Sequence, residues 1–178
     1  MRGFLIGLLA TVSVQGMPAY GQGLPTVFGQ PLGQPPAFPK CTFSIPEPDC
    51  VSTTPLGSHV LFDSSPDIVT LGGMDLRIIN GDVEGVDVEL VGHAHRALIM
   101  RQLTAKFGSA SSIRPEGVAP YGIELTQVAA RWRRAGYSVI YKSIDGDMEH
   151  GSLRIRTTKG LQADFDSEAA QEARKTKL

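Results

Sequence analysis

The chain predicts an α+β domain: an antiparallel sheet made of a hairpin and a three-stranded meander, with one amphipathic helix packed on one face. Three observations carry this expectation. Apolar and polar residues alternate on both sides of Asn80-Gly81, a pair suited to the tight turn of a two-residue hairpin. Ile99, Met100, Leu103 and Phe107 recur at helical spacing and gather on one side of a helix. A second alternating block runs from Val128 to Ile155, punctuated by Ala135-Gly136 and Asp145-Gly146-Asp147, both turn formers.

Taken from the N-terminus, residues 1–21 read as a secretory signal. Arg2 gives a basic start, Phe4 to Val14 form an apolar run, and Ala19 and Gly21 are the small residues expected ahead of a cut before Gln22. At about 1.5 Å per residue that run is too short to cross a hydrocarbon core about 30 Å thick. The expectation is a periplasmic or secreted protein that does not span the membrane after signal removal. Residues 22–40 form an arm dense in Gly, Pro and Gln, read as a disordered tether because such residues make ordering costly. Leu24, Phe28, Leu32 and Phe38 are the side chains by which it would dock. Cys41 and Cys50 are the only two cysteines, and in an oxidising compartment they are expected to form a disulfide rather than a redox or metal pair.

A single domain is expected over residues 41–160. Short strands are read at 59–62 and 67–71, around Asp63-Ser64-Ser65-Pro66. In the hairpin, Met74, Leu76 and Ile78 face one way, and so do Val86, Val88 and Leu90. The phase slips between Val83 and Val86 around Gly85, which predicts a β-bulge. The helix is placed at 91–108, ended by Gly108. Residues 109–121 read as a long irregular connection. Residues 128–134 fit either a strand or a helical turn, and strands follow around 137–142 and 153–156. The polar tail, 161–178, predicts at most a short exposed helix capped by Ser167.

Chemical motifs are sparse. No G-x-S-x-G elbow, H-E-x-x-H helix or Lys-bearing phosphate loop occurs, and no cofactor is expected. His93 and His95 stand at the helix start. As helical neighbours they diverge, but in extended geometry they would point the same way and accept a carboxylate as third metal ligand. A small metal-dependent hydrolase using His93, His95 and nearby carboxylates is therefore the alternative function. Asp145, Asp147 and Glu149 alternate like calcium ligands but lack the later bidentate acid, so a turn is the simpler reading.

A net charge of −1 gives no global drive toward polyanions, and outside the cytoplasm no nucleic acid is expected. Local charge is more informative. With apolar residues facing the helix, the open sheet face carries Asp75, Arg77, Asp87 and Glu89 on the hairpin. The meander contributes Arg131, Arg133, Lys142, Arg154 and Arg156. Such a face either pairs its charges across strands, at about 0.2–1 kcal/mol each, or offers a basic groove. The expected function is a non-catalytic exported domain. It would use those five residues to bind another envelope protein or an anionic envelope polymer.

Overall fold

Alternation sorts the larger part of the regular structure into strands, and the computed structural model describes residues 23–42, 49–54, 57–61, 68 and 70–175. The expected signal segment and the turn at 63–66 lie outside these residues. The strands are β1 (Thr26–Val27), β2 (Gln30–Pro31), β3 (Val51–Thr54), β4 (Gly57–Leu61), β5 (Thr70–Ile79) and β6 (Asp82–Val91). Helix α1 (Arg96–Phe107) follows, then β7 (Ser112–Val118), β8 (Leu125–Arg134), β9 (Tyr137–Lys142), β10 (His150–Thr157) and helix α2 (Thr158–Lys175).

β1 and β2 form a small ribbon, and the other strands make one antiparallel sheet in the order β3-β4-β5-β6-β10-β9-β8-β7. The expected mixed α+β architecture, mostly antiparallel, is thus what the chain adopts. Because β6 pairs with β10, α1 must carry the chain from the middle of the sheet to its far edge at β7. Its buried Ile99, Leu103 and Phe107 join Met74, Leu76, Val88, Leu90, Trp132 and Tyr141 in the core. The opposite sheet face carries mostly polar side chains, with Ile140 and Ala129 among them.

The hairpin follows its local code. Asn80 and Gly81 both have positive φ, 55° and 94°, as the tight hairpin turn requires. Pairing runs Arg77 to Gly85 and then Ile78 to Val83, so Glu84 is the extra residue of the expected bulge.

Other expectations need correction. The helix does not begin at residue 91. Val91 ends β6, and His93–His95 form a single 3-10 turn before α1. Residues 109–121 are not irregular, because β7 occupies most of them and makes the meander four-stranded. Its Pro115 and its largely exposed side chains hide the strand pattern, and an edge strand tolerates both. Residues 128–134 lie in strand β8. The tail is not a short helix started by Ser167; α2 starts directly after β10. Thr157 caps it, its Oγ1 accepting from the Gly160 N–H at 3.0 Å.

Nor is the arm a free tether. Val27, Phe28 and Leu32 are buried in the core. Gly33 donates to the Val83 carbonyl and Val83 to the Gln34 carbonyl, each at 2.8 Å. Gln30, fully buried, spans the arm by accepting from Ala37 at 2.8 Å and donating to Pro31 at 2.7 Å. These bonds and buried side chains offset the ordering cost that the composition implies. The arm ends at the Cys41–Cys50 disulfide, which fits an oxidising compartment; closing so short a loop contributes about 2–3 kcal/mol. Among the described residues no helix is long and apolar enough to cross a membrane.

Candidate functional site

Side chains of cross-strand partners share a sheet face, so the register reads out the open face. Toward the hairpin lie Asp75, Arg77, Asp87 and Glu89. Toward β7 lie Arg131 and Arg133 on β8, Lys142 on β9, and Arg114 and Glu116 on β7. Arg154 and Arg156 on β10 stand between the two groups.

The hairpin's acids are matched. Asp75 and Asp87 are directly opposite, a repulsive arrangement that Arg154 and Arg156 relieve through Asp87. His59 Nδ1 lies 2.7 Å from Asp75, and Arg154 Nε donates to Asp87 at 3.1 Å. Arg156 donates to Asp87 at 2.6 Å and to Asp164 of α2 at 2.8 Å. It also reaches the Val86 and Ile155 carbonyls. Only 5% of Arg156 is exposed. Burial alone would lower its pKa, but Asp87 and Asp164 outweigh this and raise it. Arg77 joins through Asp164 at 3.4 Å. The basic and acidic strands thus neutralise each other where they meet.

Glu84, the bulge residue, is turned inward at 5% exposure. It accepts from Thr157 Oγ1 and pairs with Lys159 at 2.8 Å, both at the start of α2, where the helix dipole also favours an anion. A side chain at position 160 would collide with the Glu84 carbonyl, its Cβ only 2.2 Å away, so Gly160 lets the helix start approach the bulge. Burial acts to raise the Glu84 pKa, yet the bonds from Lys159 and Thr157 hold it below the ordinary carboxylate value. A depressed folded pKa stabilises above the unfolded pKa and is lost as pH falls through the folded one. Glu84→Gln is expected to cost about 2 kcal/mol at pH 7, the range for hydrogen bonds to a charged group. The gap to the parent in urea midpoint should close on acidification through the carboxylate range; a gap constant with pH would contradict this.

The cations nearest β7 have no such partners. Arg131, Arg133, Lys142 and Arg114 form no ion pair with the described residues. The neighbouring carboxylate, Glu116, accepts from Gln127 Nε2 at 2.7 Å. Two shallow grooves meet at Arg131. One, about 540 Å³, runs past Lys142, Arg154, Glu89 and His150; the other, about 380 Å³, is lined by Arg114, Arg133, Ser111 and Ser112. Of the sequence-predicted site residues, the fold therefore gathers Arg131, Arg133 and Lys142 as unpaired cations. It sets Arg154 beside them in an exposed pair, and commits Arg156 to the interior. Arg114 was not legible as a member, because the strand that presents it reads as a loop.

The histidines are arranged as structural groups. His93 Nδ1 lies 3.2 Å from Ser143 Oγ, and that oxygen accepts the Val128 N–H at 2.9 Å. The serine hydroxyl thus bridges His93 and the Val128 backbone, and the His93 pKa is lowered by burial and by Arg96. His95 is exposed one turn away. Asp147 spends its carboxylate on a turn, accepting the Glu149 and His150 N–H groups and the His150 ring at 2.7 Å. That bond raises the His150 pKa and lowers that of Asp147. Among the described residues no group of three or more His, Cys, Asp or Glu comes together to hold a metal.

No family model matches the chain, and no curated protein or solved structure matches it. The functional reading therefore rests on geometry.

Proposed function

We propose that this is an exported, non-catalytic domain that binds an anionic component of the cell envelope through the β7 end of its open face. An anionic polymer or an acidic segment of another envelope protein would fill the role. One observation carries the reading: Arg77, Arg154 and Arg156 pair with Asp87 and Asp164, whereas Arg131, Arg133, Lys142 and Arg114 stand together and form no ion pair with the described residues. Residues two apart on a strand sit about 6.6 Å apart on one face, and adjacent strands repeat this row. The patch is suited to several anionic groups at once rather than to one ion. Its charge is local, against a chain of net charge −1, so attraction should be strong at low salt and screened beyond about 8 Å at physiological ionic strength.

Retention on a polyphosphate resin tests this. The parent protein should elute at distinctly higher salt than the Arg131→Glu, Arg133→Glu, Lys142→Glu triple variant, with both equally stable in urea because these side chains contact solvent. Equal elution would remove the basic face from consideration.

A further inference from the structure

Beyond the two polar grooves, a third depression of about 420 Å³ lies between α2 and strands β8 and β9 on the same open face. Its character differs. Ile140, Leu161 and Phe165 supply an apolar lining, and Arg131 and Arg133 stand at the same wall. Phe165 is 64% exposed, the most exposed large hydrophobic side chain among the described residues. It projects from a helix that also reaches the sheet through ion pairs, from Asp164 to Arg77 and Arg156. Phe165, Leu161 and Ile140 thus form an apolar strip beside two arginines that make no ion pair with the described residues.

From this juxtaposition we propose that the groove between α2 and β8–β9 binds a single anionic amphiphile. Its acidic head would sit on Arg131 and Arg133, and its hydrocarbon body along Ile140, Leu161 and Phe165. This deepens the functional reading above, since it rests on the same two arginines and names the ligand class. Charge complementarity fixes the orientation: the guanidinium forks match a phosphate or carboxylate head, while the groove's apolar residues recognise the chain. The volume lies within the range of small-molecule sites, about 300–1,000 Å³. A molecule taken up singly is favoured over a bilayer surface. Ile140 and Leu161 lie within a concavity, and the exposed Asp166 and Glu168 on the same helix disfavour contact with an extended anionic membrane surface.

The test uses the full mature chain and dodecyl phosphate below its micellar concentration, followed by calorimetry. One molecule per chain should bind, at least tenfold more tightly than dodecanol or inorganic phosphate. Phe165→Ala should weaken dodecyl phosphate at least tenfold without altering retention on polyphosphate resin, whereas Arg131→Gln should weaken both. Because Phe165 and Arg131 are exposed, neither substitution should move the urea midpoint. Equal binding of dodecanol, an unchanged affinity in Phe165→Ala, or association only with anionic vesicles would overturn the proposal. If polyphosphate retention persists while dodecyl phosphate fails to bind, the amphiphile site is wrong and the basic face stands. If both fail, both are wrong.

Discussion

Arg156→Met is expected to destabilise the protein by about 3 kcal/mol, the lower end of the range for removing one partner of a buried ion pair. The lower end applies because Asp87 and Asp164 are 38% and 26% exposed and regain some hydration when abandoned. Methionine approximates the arginine stem, so the loss reports the guanidinium. That group joins β10, β6 and α2 through Asp87, Asp164 and the Val86 and Ile155 carbonyls. At about 2–4 °C per kcal/mol for a domain of this size, the melting temperature should fall by roughly 6–12 °C. Arg156→Lys keeps the charge but not the fork, and should land between the two. Adding Asp164→Asn to Arg156→Met should cost less than the separate losses combined, since the two side chains share one interaction. Strict additivity, or a variant as stable as the parent, would show that α2 is held by other means.

How Arg156 came to differ from Arg131, Arg133 and Arg154 shows what the sequence could and could not convey. All four alternate with apolar residues, so their common face was legible. Their separate fates depend on α2, of which the sequence announced only a short, exposed piece in the tail, not its start at Thr158. Ser167 resembles its cap, while the working cap is Thr157, the last residue of a strand. The bulge was legible from the phase slip at Gly85. That its extra residue, Glu84, would meet Thr157 and Lys159 was not, because their encounter is a long-range contact between β6 and the strand–helix junction. Strand β7 was invisible for a different reason. Ser112–Val118 exposes most of its side chains at a sheet edge, where burial imposes no alternation, and Pro115 reads as a break. Losing β7 also hid Arg114. The arm's Val27, Phe28 and Leu32 lie too irregularly to show a period, although they are as buried as any strand residue.

Trp132→Ala should have the largest effect, about 3–5 kcal/mol for truncating a buried tryptophan, a large share of the 5–15 kcal/mol that stabilises a typical domain. Trp132 is fully buried on β8. Its ring meets Phe107 at 6.4 Å between centroids, and Phe107 meets Tyr137 at 6.5 Å. Its Nε1 donates to the Gly108 carbonyl at 2.8 Å. Two residues on, Arg134 donates to the Phe107 and Ser109 carbonyls, placing a cation at the negative end of the α1 dipole. One strand thus holds the last turn of α1 by packing, a hydrogen bond and charge together. Trp132→Phe keeps most of the packing but leaves the Gly108 carbonyl without the indole, so about 1–2 kcal/mol is expected. Hydrogen exchange separates local from global effects. In Trp132→Phe the amides at the C-terminal end of α1 should lose protection before those of β6 and β10, because only that turn has lost an anchor. Uniform loss across the sheet would mean that Trp132 acts through the core as a whole, and that α1 is held chiefly by Ile99 and Leu103.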